Sequence, residues 1–350
     1  MSANLNRFNL QVGLPMAATG ISLVLVGWIV SLVGASPFVA LRALLDGAFG
    51  SPYAVGIVLV RATPLILTGL SVGLAFRCGL FNIGAEGQLQ VGAAAAVAVG
   101  IFGGGPPIVH AGSSLLAGFL AGGLYGAIPG YIRARFGASE IITTLMMNYI
   151  AIYGVIYLVL GPMGMEDAVF PQTARILESS ELPRWIPGTQ LHAGFWMALL
   201  LVAAVWVILK KTTLGYEFRV IGENPSVARQ IGIPTSGRIT LSLALCGGLS
   251  GLAGAVEILG VQFRLAQDWS YEWGYTAIAV AFLGGANAFG ILAAALYFGV
   301  LQAGADSIQA ATGVPAAIIY LIESLPVLIV LALSAPRILT HLRNLTGRSP

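Results

Sequence analysis

Long apolar stretches separated by short polar ones run through almost the whole chain. Ten of these stretches are predicted transmembrane helices, and the third is the weakest because it is rich in Ala and Gly and not in Leu. Their predicted limits are residues 14–34, 54–76, 84–102, 112–132, 139–161, 193–210, 237–260, 272–286, 288–305 and 315–334. The pattern therefore predicts an all-α polytopic membrane protein with about ten transmembrane helices.

Composition supports this fold class. Of the 350 residues 57% are hydrophobic and only 9% are charged, whereas a soluble domain carries about 25% charged residues. The 46 glycines suit helices that pack closely in a membrane. The first apolar stretch exceeds the roughly 7–15 residues of a signal-peptide core, so we expect an uncleaved helix. A net charge of +3 gives no indication of nucleic-acid binding.

The basic residues are distributed asymmetrically between the predicted loops. Ten helices place both termini on one side, and that side holds most of the basic residues: Arg7, Arg77, Arg133, Arg135, Lys210, Lys211, Arg219, Arg229, Arg337, Arg343 and Arg348. Because positive charge favours the cytoplasm, we expect cytoplasmic termini. Residues 211–236 then form a cytoplasmic loop. Residues 162–192 form an extracytoplasmic segment, for which a connector is favoured over a lid.

Two stretches suggest an inverted internal repeat. "LAGGLYGAIPG" in the fourth predicted helix and "ILAAALYFGVLQAG" in the ninth share a pattern of small residues around Leu-Tyr. The two helices run in opposite directions under the predicted topology, as in many transporters. A shared bias toward small residues explains the match equally well, so both interpretations remain open.

The chain shows no catalytic or nucleotide-binding motif. A phosphate-binding loop needs glycines before a lysine, and the only two lysines lie in "VILKKTT". "GLSG" at 248–251 matches the short pattern of intramembrane serine proteases, but all three histidines lie at or outside predicted helix ends. Cys78 and Cys246 have no metal-ligand or disulfide spacing. We therefore expect neither an enzyme nor a cofactor or metal in this chain.

Polar residues inside the apolar stretches are better candidates, because such residues usually face a bundle interior or an aqueous path. The translocation-path candidates are Asn82, Glu86, Gln88, Asn148, Glu257, Gln302 and Glu323. Glu86 follows a glycine-rich stretch in which Asn82 can cap a helix. A re-entrant break and a cytoplasmic turn are both compatible with this stretch. For Glu257 and Glu323, structural hydrogen bonding is favoured over solute binding.

The stretch "GENPSVARQIGI" (222–233) predicts a short helix over 225–231. Asn224 is a suitable N-cap, Pro225 fits the first turn and Gly232 fits the position after the end. Val227, Ala228 and Ile231 share one face, with polar residues opposite. Two turns are not stable alone, so the apolar face is predicted to rest on the ends of the transmembrane helices. A partner protein and a plain interfacial helix are both compatible with the polar face.

Two motifs carry a family resemblance. "GLFNIGAEGQLQVGA" (79–93) and "GYEFRVIGENPSVARQIGI" (215–233) together resemble permease subunits of bacterial ABC importers for nucleosides and simple sugars. This group is related to the ribose and branched-chain amino acid permeases. The order of residues 51–88 also resembles the longer permease of nucleoside systems with a basic-membrane-lipoprotein-type binding protein. The resemblance covers roughly residues 50–335.

The resemblance implies a set of partners, and it implies that residues 211–236 are a coupling loop on which the ATPase docks. Two permeases, often unlike, form the pore in lipid of the bacterial plasma membrane. Two cytoplasmic ATPases carry ATP and Mg²⁺, and a lipoprotein delivers the solute. The ATPase-coupling residues implied are Gly222, Glu223, Asn224, Ala228, Arg229, Gly232 and Ile233. Val227 stands where many relatives have Ala.

An alternative from the residues alone is an ion-coupled secondary transporter. In that case Glu86 or Glu257 would carry the coupling proton across the membrane.

Overall fold

The computed structural model describes residues 24, 27, 28, 30–32, 34–165, 168–186, 188–267, 269, 270, 272–313, 324, 325 and 328. The predicted first and last transmembrane helices, 14–34 and 315–334, therefore lie mostly outside the described residues, and Glu323 lies outside them. The chain divides into two compact units. The larger is Leu59–Gly299, and the smaller comprises Met1–Val58 and Val300–Pro350.

The described residues form helices, with strand pairing limited to isolated bridges. The helices are α1 Pro37–Phe49, α2 Pro52–Arg77, α3 Ala85–Phe102, α4 Pro107–Phe136, α5 Glu140–Leu160, α6 Gly194–Lys211, α7 Thr213–Glu223, α8 Pro225–Gln230, α9 Thr235–Glu257, α10 Trp273–Leu283 and α11 Ala288–Thr312. A π-helical turn, Ile258–Gln262, extends α9. Among the described residues, seven helices are long and apolar enough to cross a membrane: α2, α3, α4, α5, α6, α9 with its π turn, and α11. The chain is thus a polytopic helical membrane protein, while the total of ten and the orientation stay predictions.

Glycines bring α3, α4 and α9 into backbone contact in the larger unit. A Cβ atom on Gly251 would lie 2.3 Å from the Gly118 carbonyl oxygen, and one on Gly92 would lie 2.2 Å from Gly251 Cα. Gly122 likewise faces the backbone of Gly247 and Gly251. Only glycine fits such contacts, which bring helix axes close together in membrane proteins. The "GLSG" stretch is therefore a packing motif, in agreement with the prediction.

Two elements differ from the hydropathy prediction. The predicted transmembrane helix at 272–286 is α10, which has only 11 residues. It spans about 16 Å at 1.5 Å per residue, well short of a hydrocarbon core of roughly 30 Å. The stretch between the predicted transmembrane helices 14–34 and 54–76 was expected to be a loop, but it contains helix α1. Pro37 in the first turn favours the start of α1, and Arg42 and Asp46 pair one turn apart at 3.6 Å.

The predicted extracytoplasmic segment is packed against the end of α9. The Thr173 and Ile176 amides donate to the Leu265 and Phe263 carbonyls at 2.8 and 2.9 Å, and the Leu182 amide donates to Leu259 at 2.9 Å. A 3₁₀ turn at Glu178–Ser180 is part of the same segment. Its backbone is therefore held by the π turn and by the residues that follow it.

Candidate functional site

The α2–α3 break (residues 78–84) lies inside the larger unit. The chain is irregular from the end of α2 to the start of α3, and Asn82 and Glu86 are buried there. The Gly87 amide donates to Asn148 Oδ1 at 2.8 Å. Asn148 is the ninth residue of α5, about 12 Å from its start. The helix α3 therefore begins among buried residues, although Gly79 near the start of the break is exposed.

Side-chain amides satisfy the irregular backbone of the break. Asn82 Oδ1 accepts from the Gly84 amide at 3.1 Å. Asn82 and Gln88 exchange two amide hydrogen bonds at 2.9 and 3.2 Å. Asn148 Nδ2 donates to the Ile83 carbonyl at 2.9 Å. Non-helical backbone at membrane depth is tolerated where protein groups satisfy it, and three of the predicted polar residues supply those groups here.

Glu86 joins the first turn of α3 to the start of α10. Its carboxylate is 2% exposed and accepts from Ser270 Oγ at 2.6 Å, from the Gly274 amide at 2.9 Å and from Gln90 Nε2 at 3.2 Å. Trp269 Nε1 extends the network by donating to Gln90 Oε1 at 2.6 Å. The Glu86 carboxyl group therefore lies near the N-termini of α3 and α10, where the helix dipoles favour a negative charge.

Sequence reasoning missed the partners of Glu86. Ser270, Gly274 and Trp269 lie about half the chain away from it, in a stretch with no periodicity that indicates a polar cluster. A Cβ on Gly274 would lie 2.2 Å from the Glu86 amide nitrogen. Gly274 was the one local signal of this close contact, because a short apolar helix does not otherwise need a glycine at its start.

The other candidate polar residues lie elsewhere. Glu257 is buried in the last turn of α9. It accepts from Gln262 Nε2 at 3.2 Å and lies close enough to Arg61 for an electrostatic interaction. Paired charges of this kind are the usual form of ionisable residues inside membranes. Gln302 lies in the part of α11 that belongs to the smaller unit.

The predicted coupling loop contains two helices. Asn224 caps α8 as predicted, because its Oδ1 accepts from the Ser226 and Val227 amides at 2.9 and 3.2 Å. Gly232 follows the helix with φ of +84°, the left-handed conformation expected of a glycine after a helix end. The helix α7 precedes it and was not predicted. Its Phe218 side chain is buried, so α7 anchors the loop.

The predicted burial of the α8 apolar face is wrong for two of its three residues. Ala228 is fully buried, but Val227 is 44% and Ile231 56% exposed. Within this helix of six residues, Ala228 is the one buried side chain. The exposed surface of α8 therefore combines two apolar side chains with the exposed Arg229.

The end of α7 touches the start of the break directly. A Cβ atom on Gly222 would lie 2.6 Å from the Arg77 carbonyl oxygen and 2.9 Å from the Gly79 amide nitrogen. Gly79 has φ of +70°, which favours glycine at this turn. Only Glu223 and Asn224 separate this contact from α8. The break and the coupling helices therefore form one continuous structure.

Comparison with known proteins identifies the family. The family described as "Branched-chain amino acid transport system / permease component" matches residues 54–331. The chain belongs to this permease family. The guanosine ABC transporter permease protein NupP of Bacillus subtilis is 39% identical to it over 82% of this chain and 84% of the relative.

Two further relatives cover more of the permease. The glucose ABC transporter permease protein TsgB13 of Haloferax volcanii is 35% identical over 91% of this chain and 87% of its own length. The nucleoside ABC transporter permease protein NupB of Lactococcus lactis is 32% identical over 91% and 90%.

The family membership decides between the functional classes. The permease is a non-catalytic, multi-pass transport subunit of an ABC importer, which works with an ATPase and a solute-binding protein. The relatives give no support to the ion-coupled alternative through Glu86 or Glu257. The absence of a phosphate-binding motif from the sequence fits a subunit whose ATPase is a separate chain.

Proposed function

We propose that this permease forms one half of the translocation path for a nucleoside, driven by a separate ATPase that docks on α8. The capped helix α8, connected through Gly222 to the break, is the observation that carries the proposal. A second, unlike permease forms the other half of the path. A solute-binding lipoprotein delivers the nucleoside, and the complex lies in a bacterial plasma membrane with both termini of this chain in the cytoplasm.

The solute is proposed from the printed names of the relatives. NupP is named for guanosine and NupB for nucleosides. A simple sugar is the second candidate, because TsgB13 is named for glucose and is 35% identical. The amides of Asn82, Gln88 and Asn148 are engaged in hydrogen bonds within the break, so the choice between the two solutes rests on the relatives. Competition of unlabelled glucose or guanosine against labelled guanosine uptake distinguishes the two.

In this proposal the polar residues of the break shape the path. Asn82, Gln88 and Asn148 fix the irregular backbone, and Glu86 holds α10 against α3. The further path candidates are Glu257, Gln302 and Glu323. ATP and Mg²⁺ bind to the partner ATPase, and this chain holds no cofactor.

Coupling then proceeds through the contact of α7 with the break. Closure of the ATPases around ATP displaces α8, whose exposed Val227, Arg229 and Ile231 form the docking surface together with neighbouring residues of the loop. Backbone contact at Gly222 and Gly79 passes this displacement to the start of α3. A path closed by α3 and α10 then switches between its outward-open and inward-open states. ATP can shift these states only through its differential binding to them.

Charge reversal on α8 tests the docking role. The double variant Arg229→Glu with Gln230→Glu, expressed with all importer subunits, is expected to co-purify with at least tenfold less ATPase, as for a disrupted charged contact in an interface. Arg135→Glu is the matched control, since Arg135 is an exposed arginine at the end of α4. Equal ATPase recovery in the double variant and the control contradicts the docking role.

A further inference from the structure

A basic pocket lies where α6 ends and α7 begins. It is lined by Arg77, Trp206, Leu209, Lys210, Arg219, Ala286, Asn287 and Ala288. All of these residues belong to the larger unit. Three of them are cationic, and none of these described lining residues is acidic. The pocket is distinct from the break, although Arg77 is the last residue before it.

Backbone carbonyls hold the two guanidinium groups in the pocket wall. Arg77 Nε donates to the Ala286 carbonyl at 2.8 Å, and Arg219 donates to the Leu209 carbonyl. Each guanidinium has five N–H donors, so these bonds fix its position and leave donors free. Lys210 is exposed and has no hydrogen bond or ion pair with any described residue. Three close positive charges repel one another unless an anion joins them.

The start of α11 adds a further anion-attracting element. Asn287 and Ala288 line the pocket, and α11 continues for 25 residues from Ala288. The dipole at the start of a long helix favours negative charge, and here Asn287 Oδ1 already accepts from the Phe289 amide at 3.4 Å. Fixed guanidinium groups, a lysine without a partner and a helix start therefore converge on one cavity.

We propose that this pocket binds the phosphate group of an anionic phospholipid. Its rim is apolar, because the Trp206 ring lies 5.9 Å from that of Phe289, and Phe289 is 52% exposed. Tryptophan is enriched at the membrane interface, and basic pockets between transmembrane helices bind anionic headgroups. The headgroup would lie between α7 and the residue that precedes the break. A bound lipid would therefore stabilise the joint through which α8 acts.

Adjacent lysines give a matched pair of variants for the test. Lys210 lines the pocket, whereas Lys211 does not, and both end the same helix. The assembled importer is delipidated in detergent and titrated with dioleoyl phosphatidylglycerol or dioleoyl phosphatidylcholine, and bound lipid is counted by native mass spectrometry. Lys210→Gln is expected to weaken phosphatidylglycerol binding about fivefold, the effect of one basic residue near an anionic surface. Lys211→Gln is expected to bind like the unaltered protein, and phosphatidylcholine is expected to bind weakly to all three.

Three results would overturn the proposal. Equal phosphatidylglycerol binding by the two lysine variants would show that the lipid does not bind in this pocket. Inorganic phosphate that competes with phosphatidylglycerol and binds as tightly, with the same dependence on Lys210, indicates a site for a soluble anion. Reduced ATPase recovery in Lys210→Gln with unchanged lipid binding indicates that the pocket accepts an acidic side chain of the ATPase.

Discussion

Replacing Gly222 with Ala tests whether the coupling helices and the break are in rigid contact. The added Cβ atom would lie 2.6 Å from the Arg77 carbonyl oxygen and 2.9 Å from the Gly79 amide nitrogen. Both are backbone atoms, so relief requires a shift of the break or of α7. Overpacking of this kind costs about 1–3 kcal/mol. Alanine also has a higher helix propensity than glycine by about 1 kcal/mol, which offsets part of the cost.

Gly237→Ala isolates the steric part of this effect. Gly237 lies near the start of α9, and a Cβ there meets nothing within 4 Å, so this variant gains propensity without a clash. The free energy of unfolding of Gly222→Ala is therefore expected to be about 1–3 kcal/mol lower than that of Gly237→Ala. In thermal unfolding of the purified complex, the midpoint of Gly222→Ala is expected to lie about 2 °C or more below that of Gly237→Ala. Solute-stimulated ATP hydrolysis is expected to fall in Gly222→Ala alone. Equal midpoints for the two variants would refute the rigid contact.

Three further variants test the packing, a helix cap and a buried imidazole. Gly251→Ala, whose Cβ would lie 2.3 Å from the Gly118 carbonyl oxygen, is expected to unfold well below Gly112→Ala, which meets nothing within 4 Å; equal midpoints would contradict close packing. Asn224→Ala removes the α8 cap and is expected to cost about 1 kcal/mol, measured as faster amide hydrogen exchange in α8, with Asn224→Ser restoring protection. Burial lowers the pKa of His192 to about 4, so the unfolded chain, with a histidine pKa of about 6.5, takes up the proton first as pH falls. Stability is then expected to fall by at most about 2 kcal/mol between pH 7 and pH 5, and a His192→Gln variant with the same pH dependence of its midpoint would contradict this.

Local sequence patterns predicted the long helices and the small caps well. Hydropathy placed one helix at 54–76, and α2 is Pro52–Arg77, because a long apolar run between polar residues has few alternatives in a membrane. The Asn224 cap and the Gly232 ending depend on residues within one turn of each other, so the sequence was enough to identify them.

Features that depend on distant contacts were not predictable in the same way. Glycines around Glu86 indicated a loosened backbone, but only the structure shows that the start of α3 is buried against Asn148. Hydropathy counts apolar residues and does not show where a helix begins and ends, so it predicted a transmembrane helix at 272–286 where α10 has only 11 residues. A search for long apolar runs passes over α7, and it does not show that Val227 and Ile231 are exposed.

Uptake by the reconstituted importer tests the central claim most directly. Proteoliposomes that contain this permease with its second permease, ATPase and binding protein are loaded with ATP or with a non-hydrolysable analogue, and labelled guanosine uptake is measured. We predict that uptake requires ATP on the ATPase side and is lost in the double variant Arg229→Glu with Gln230→Glu. Uptake by this chain alone under a proton gradient, unaffected by the absence of ATP, would contradict the account.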